Sequence, residues 1–292
     1  MSHLQLFAET ISWAQEVRLS TSRAVLELPH APGDNRADQM QNSLSPKTSR
    51  CSPLAPEQAR GRLPELRTDS RIRLSIFDLD RTLTRKPTYT AFLIFAALRL
   101  APWRLLLAPA VIACMLAYLA GLITRRRVKE LEQALLLGRS TPGPAITALA
   151  ERFASKICRN GIYPSGMAQI DQERADGRRV IMATAANSVY LDAIAAKLGI
   201  DEVVGTRSSW HDDHLIAKID GENCYGSAKR DMLAAYLETN RLSRGKTDIR
   251  FYSDHISDRP TFEWADEQVA VNPSPKLREL ASRRSWSIIL WE

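Results

Sequence analysis

Asp78 and Asp80 stand one residue apart at the end of an apolar run (Ile72, Leu74, Ile76, Phe77), and the hydroxyl of Thr82 follows two positions later. In an extended chain successive side chains alternate sides, so both carboxylates leave the strand on one side and can converge on one ligand. Carboxylates held that close repel unless a cation lies between them or one is protonated. Such a pair suits a divalent metal, or a division of roles between a nucleophile and an acid/base. It also reads as a strand end with two solvated aspartates, and the pair alone does not choose. Three later stretches share this context at a strand end or helix start. Thr184 closes the run Val180–Ala183, and the amides of Ala185 and Ala186 behind it can face an anion. Lys229 lies near a helix start after Gly226, where an ammonium can neutralise a multiply charged anion. Asp254 and Asp258, four apart across a loop-to-helix turn, can supply a metal ligand and a second carboxylate that orients Lys229 or the metal.

The elements that must position these groups alternate. After the first strand at residues 71–77, short apolar runs at Arg179–Thr184, Glu202–Thr206, Leu215–Ile219, Asp248–Tyr252, Gln268–Val271 and Trp286–Trp291 read as strands. Helical patterns at Ser188–Leu198, Ala228–Thr239 and Lys276–Arg283 separate several of them. The expectation is an α/β protein with a doubly wound, parallel Rossmann-like sheet and its site at the carboxyl edge. Between the first strand and the next, residues 88–176 read as a helical cap, with helices at Val128–Leu136, Pro144–Cys158 and Gly166–Asp176. The expected division is a disordered N-terminal extension (1–70), an α/β catalytic core (71–87 and 177–292) and the cap (88–176).

The cap opens with an apolar hairpin at 88–127. Ala91–Leu98 is followed by a break containing Pro102, and then Leu105–Ile123 carries no charge. As one helix that second run is about 28 Å long, close to a bilayer core of roughly 30 Å. Arg125, Arg126, Arg127 and Lys129 follow at once, as at a cytoplasmic membrane face. A single crossing would place Asp78 and the later residues on opposite sides of a membrane. The hairpin is therefore expected to lie on, or dip into, the inner face of the cell membrane with its arginines at the headgroups. A soluble cap whose apolar faces pack on each other is the alternative. Trp103, at the bend, fits an interfacial anchor or a packing residue.

Composition narrows the classes further. The chain has 292 residues, 45% of them apolar, and a formal charge of +7. The basic residues lack the aromatic interleaving of nucleic-acid platforms, which argues against a nucleic-acid partner and for anionic substrates or a membrane surface. Four scattered cysteines without a C-x-x-C pair fit reduced thiols and a cytoplasmic location. Residues 31–70 hold almost no large apolar side chains, whereas Met1–Leu28 has the spacing of a short amphipathic helix without the features of a secretory signal. His211 and His214 have an i, i+3 spacing that can suit zinc but fit an exposed turn better, and Cys224, Trp286 and Trp291 read as packing residues.

Asp78-x-Asp80-x-Thr82, Thr184, Lys229 and Asp254-x-x-x-Asp258, in that order, resemble the four motifs of the haloacid dehalogenase superfamily. The likeness is to its phosphatase branch with a small helical cap, the branch of phosphoserine phosphatases, and it covers about residues 71–292. The resemblance implies that Asp78 is the nucleophile forming an aspartyl-phosphate and that Asp80 is the general acid and then the base. It further implies Mg²⁺ held by Asp78, the Asp80 main-chain carbonyl and Asp254, with Thr82, Thr184 and Lys229 binding phosphate and Asp258 in support. Asp80 favours phosphate chemistry over dehalogenation, which has no leaving alkoxide to protonate. Arg81 departs from the glycine common in the family, and His255 from the serine. The apolar hairpin resembles a membrane-associated subgroup, the phosphatidylglycerophosphate phosphatases of type C, which implies a phospholipid substrate. A soluble ester such as phosphoserine is the alternative, and a catalytically silent membrane-binding module is a third reading.

Overall fold

The computed structural model describes residues 71–292; the amphipathic helix expected within Met1–Leu28 and the disordered extension expected at 1–70 lie outside the described residues. The chain runs β1 (Ile72–Phe77), α1 (Tyr89–Leu100), a 3₁₀ segment (Pro102–Leu107), α2 (Ala108–Leu119), α3 (Arg125–Leu136), β2 (Ser140–Pro142), α4 (Gly143–Asn160) and α5 (Pro164–Ala175). It continues with β3 (Arg179–Asn187), α6 (Ser188–Lys197), β4 (Glu202–His211), β5 (His214–Asp220), α7 (Ser227–Thr239) and β6 (Thr247–Ser253). Last come α8 (Arg259–Trp264), β7 (Glu267–Val271), α9 (Pro275–Arg284) and β8 (Ser287–Ile289).

The sheet order is β2-β5-β4-β3-β1-β6-β7-β8, with β4 through β8 in that row all parallel. Both faces of β1 are covered, as a parallel sheet requires. Leu74 and Ile76 join one apolar cluster with Leu233, Phe262 and Leu277, while Phe77 joins another with Ile170 and Tyr190. Phe77 is level with Met182 on β3 and Tyr252 on β6, so the residues that follow each strand emerge together at the carboxyl edge. This is the doubly wound arrangement expected from the sequence.

Two strands depart from the parallel expectation. β4 and β5 form an antiparallel hairpin, because Asp212 (φ 44°) and Asp213 (φ 56°) both adopt the left-handed conformation of a tight two-residue turn. The Asp-Asp pair lacks the glycine that usually marks such a turn. The turn is exposed, which gives His211 and His214 a place at a hairpin tip. β2, three residues long, pairs antiparallel with β5 and has no counterpart in the sequence reading.

The apolar hairpin also differs from a pair of lipid-facing arms. α1 is buried from Ala91 to Ala97, with Phe92 against Phe153 and Tyr190, so the first arm is core rather than surface. The charge-free run does not form one helix: it is 3₁₀ up to Leu107, and α2 starts at Ala108 with Pro109 in its first turn, where a missing amide proton costs nothing. At twelve residues α2 is about 18 Å long, well short of a bilayer core. Only Val111 of α2 is buried, while Trp103 (60%), Leu106 (81%) and Leu122 (77%) are largely exposed. α3 begins at Arg125 because the Thr124 side chain accepts a hydrogen bond from the Arg127 amide. Arg126 is then used inside the fold, donating to the Ile219 and Gly221 carbonyls, rather than lying free at a headgroup layer.

α5 lies against the sheet through Glu173, which is fully buried. Its carboxylate accepts from Tyr252 (2.6 Å), Arg250 (2.6 Å) and Ser75, and pairs with buried Arg178 (3.2 Å). Burial raises its proton affinity, but these bonds outweigh it and hold the carboxyl below its ordinary range. Glu173→Ala removes the buried carboxylate shared by Arg178, Arg250, Tyr252 and Ser75 and is expected to cost about 3–5 kcal/mol in a urea melt. Because the folded carboxyl is depressed, this contribution is present at neutral pH and is lost as pH falls through its folded pKa. An unchanged melt would show that water or Asp248, which also binds Arg178 (2.9 Å), replaces the lost partner.

Candidate active site

β1 delivers Asp78 to the carboxyl edge, where its amide extends the ladder by donating to the Tyr252 carbonyl (2.9 Å). The next residues turn at once: the Leu79 carbonyl accepts from the amides of Leu83 (3.0 Å) and Thr84 (2.9 Å). Arg81 sits in this turn at φ 63°, a left-handed conformation that explains why glycine suits the position. The turn sends the two carboxylates to different partners.

Asp78 faces Lys229 of α7, whose ammonium donates to Asp78 Oδ1 (2.9 Å) and to Asp258 Oδ2 (2.7 Å). Gly226, at φ 62°, ends the preceding loop and sets the helix start that places Lys229. Asp258 Oδ2 also accepts from Ser253 Oγ at the end of β6 (2.7 Å), while its Oδ1 is buried without a hydrogen-bond partner among the described residues. Asp254 follows Ser253 and is buried. Burial pushes the Asp78 carboxyl up to about 7, Lys229 pulls it down, and Asp258 and Asp80 push it up again. Burial and then the charges of Asp78 and Asp258 push Asp254 well above the carboxylate range, against Arg81 and Lys229. Burial alone would lower Lys229, but Asp258 and Asp78 outweigh it and hold the ammonium above the ordinary lysine value.

Asp80 turns toward the cap. Its Oδ1 accepts from both the amide (2.9 Å) and the hydroxyl (2.7 Å) of Thr88, the residue before α1, and the Thr88 hydroxyl meets Tyr190 Oη (3.1 Å). Burial raises the Asp80 carboxyl, while the Thr88 bonds and then Lys129 and Arg125 of α3 lower it. Thr184 ends the regular pairing of β3 and accepts from the Ala186 amide (3.2 Å), which leaves its hydroxyl proton to donate elsewhere. Thr82 is buried, and no hydrogen bond ties its hydroxyl to the other site residues.

Direct contacts therefore join Asp78, Lys229 and Asp258, and the negative charges of Asp80 on Asp78 and of Asp78 on Asp254 raise the affected carboxyls further. Sequence reasoning missed Thr88, Tyr190, Ser253 and Lys129. Of these, Thr88 alone carried a signal, as a hydroxyl residue just before an apolar helix. His255 is an exposed turn residue bonded to Ser257 (2.9 Å). Cys224 is buried, its thiol pushed up to about 12 mainly by burial, and Trp286 stacks on Phe262.

Among the described residues no three His, Cys, Asp or Glu side chains cluster as a metal-binding group. The expected Mg²⁺ set needs only two, Asp78 and Asp254, with the Asp80 carbonyl. These residues fit a hard divalent cation: all donors are oxygen, and buried carboxylates outnumber the one ammonium among them.

A mostly parallel sheet with paired acidic residues beyond its first strand and a lysine facing them is the arrangement of a hydrolase active site at the carboxyl edge of an α/β fold. The family profile of haloacid dehalogenase-like hydrolase matches residues 76–263, and the chain belongs to that family. Among curated proteins, phosphoserine phosphatase SerB1 of Mycobacterium tuberculosis is 28% identical over 156 residues, covering 53% of this chain and 49% of that protein. Protein CicA of Caulobacter vibrioides is 30% identical over 158 residues, covering 53% of this chain and 68% of that protein. The chain spans about half the length of the first of these relatives. A crystal structure of a protein of unknown function from Bordetella pertussis Tohama I superposes with a TM-score of 0.69 at 27% identity, covering 75% of this chain and 98% of the other.

Proposed function

We propose that the protein is a Mg²⁺-dependent phosphomonoesterase that works through an aspartyl-phosphate on Asp78 and acts at the inner membrane face on a phospholipid phosphate. The observation that carries the chemistry is the Asp78–Lys229–Asp258 chain of contacts (2.9 and 2.7 Å) with Asp80 held separately by Thr88. Lys229 keeps Asp78 aimed and adds positive charge where a phosphoryl group would sit. A carboxylate oxygen of Asp78 attacks phosphorus as the ester P–O bond breaks. Asp80, with Oδ1 tied to Thr88, presents Oδ2 to protonate the departing alkoxide and then takes a proton from the water that attacks the aspartyl-phosphate. The Thr184 hydroxyl and the Lys229 ammonium bind phosphoryl oxygens. Mg²⁺ held by Asp78, Asp254 and the Asp80 carbonyl would screen the approaching negative charges. The resemblance to SerB1, named a phosphoserine phosphatase, supports the reaction class.

Mg²⁺ binding carries a pH signature. Asp78, pushed up to about 7, and Asp254, pushed well up, must lose protons to ligate a metal. A carboxyl raised on folding stabilises the metal-free protein at low pH, and that contribution is lost as pH rises through about 7. A fixed Mg²⁺ concentration, about a hundredfold above its Kd at pH 8, is expected to raise Tm by about 5–10 °C at pH 8, and by less at pH 5.5, where proton competition raises Kd. Thermal melts with Mg²⁺ or EDTA test this; an equal shift at both pH values would remove these carboxylates from the metal site.

The membrane part rests on the exposed side chains of Trp103, Leu106 and Leu122 around α2, the kind of surface that lies in a lipid interface. The deciding experiment is phosphate release with Mg²⁺ from a phosphatidylglycerophosphate-type lipid in micelles and from soluble monoesters, including phosphoserine. At least tenfold higher kcat/KM for the lipid is expected. Preference for a soluble ester would end the membrane reading, whereas no release from either would end the phosphatase reading.

A further inference from the structure

The Thr88 hydroxyl that holds Asp80 is itself held. It lies 2.7 Å from Asp80 Oδ1 and 3.1 Å from Tyr190 Oη, and it has one proton to give. An ionised carboxylate can only accept, so that proton goes to Asp80 and Tyr190 must donate to Thr88. The chain of donors therefore runs one way, from Tyr190 through Thr88 to Asp80. Burial and then the Asp80 charge raise the proton affinity of the phenol, which keeps it a donor at neutral pH.

Tyr190 enters this chain from the core. It stands in the first turn of α6, whereas Thr88 precedes the cap helix α1. Its ring is buried against Phe92 of α1 (4.7 Å between centroids) and Phe153 of α4 (5.5 Å). Close packing of this kind holds a side chain in one rotamer, so the phenol oxygen is a fixed point. The Thr88 hydroxyl, bonded on both sides, cannot turn about χ1 without breaking a contact. Asp80 Oδ1 is thereby set as the accepting oxygen, while Oδ2 takes no hydrogen bond among the described residues.

We propose that Tyr190 is a positioning residue for acid–base catalysis: acting through Thr88, it pins Asp80 Oδ1 so that the transferable proton is carried on Oδ2. This rests on the phosphomonoesterase reading and deepens it. Neither hydroxyl gives up its own proton. The Oδ2 proton passes to the ester oxygen as the P–O bond breaks, which leaves Asp80 ionised with Oδ1 still held. Oδ2 then takes a proton from the water that opens the aspartyl-phosphate.

The test uses the leaving group. A nitrophenolate departs as a stable anion and needs little help from an acid, whereas an alkoxide needs its proton. Phosphate release by the full chain with Mg²⁺ would be measured for 4-nitrophenyl phosphate and for 4-nitrobenzyl phosphate, which is similar in size. The quantity read is the benzyl-to-phenyl ratio of kcat/KM, which reports on transition-state stabilisation for each ester. Tyr190→Phe keeps the packed ring and removes only the hydroxyl. It is expected to lower that ratio about tenfold, part of the 10²–10⁴ that a positioned acid supplies. Thr88→Val should lower it at least as far, and Thr88→Ser, which retains a hydroxyl, should keep it near the wild-type value. Because Tyr190 acts through Thr88, adding Tyr190→Phe to Thr88→Val should lower the ratio no further. A merely structural role would slow both esters together. A ratio unchanged in whichever of Tyr190→Phe and Thr88→Val folds, or effects of the two that add in full, would overturn the inference. Release from neither ester by the wild type would instead end the phosphomonoesterase reading, and this inference with it.

Discussion

Asp78→Asn is expected to lower phosphate release by on the order of 10⁵-fold, the scale seen when a covalent nucleophile is removed. The amide keeps nearly the same shape, and its oxygen can still accept from Lys229 as Asp78 Oδ1 does at 2.9 Å. What disappears is the nucleophilic charge, so an acid-quenched sample should hold no phosphoprotein where the wild type does. Stability should move the other way. Burial, Asp258 and Asp80 together outweigh Lys229 and raise the Asp78 carboxyl to about 7, which means that its charged form is penalised in the folded protein. A neutral isostere removes that penalty, so metal-free Asp78→Asn should melt higher than the wild type at pH 8 and much less so at pH 5. A folded variant that retains substantial turnover would rule out Asp78 as the nucleophile.

Most of this arrangement can be read before any coordinates exist, for a definite reason. β1, β3 and β6 are buried toward their carboxyl ends, and the apolar residues there (Ile76-Phe77, Ile181–Ala183 and Phe251-Tyr252) mark the positions of Asp78, Thr184 and Asp254. The residues that tune the site are harder to see because they arrive from far along the chain. Thr88 meets Tyr190 across 102 positions, and Lys129 meets Asn223 across 94. Neither contact leaves a periodic trace. The exposed turn at His211–His214 was legible, but the antiparallel pairing of β4 with β5 was not, because its Asp212-Asp213 turn lacks the glycine that usually marks a two-residue hairpin. The charge-free run 105–123 misled in length: hydropathy registers composition, while Pro109 and the 3₁₀ segment before it decide where a helix can begin. α3 held both kinds of information. Its arginines looked like a membrane flank, yet the side of the helix that carries Lys129 and Glu132 faces inward.

Lys229→Met carries the second large expectation, because it separates charge from shape at the centre of the site. The lysine stem is nearly fully buried and its ammonium bridges Asp78 and Asp258, so methionine fills the volume while leaving two carboxylates without their shared cation. Removing one partner of a buried ion pair costs about 3–5 kcal/mol, which should appear as a reduced urea midpoint with an unchanged slope. Activity should fall by about 10²–10³-fold, the usual loss when one preorganised electrostatic group is deleted. The double variant Lys229→Met/Asp258→Asn distinguishes the two effects. Neutralising Asp258 removes the repulsion that Lys229 had balanced, so much of the stability should return, and Ser253 Oγ can still donate to the amide oxygen that replaces Asp258 Oδ2. Turnover should not return, since nothing then supplies positive charge to the phosphoryl group or aims Asp78. A double variant as active as the wild type would mean that Lys229 serves only to hold the fold together, and the electrostatic role assigned to it would fall.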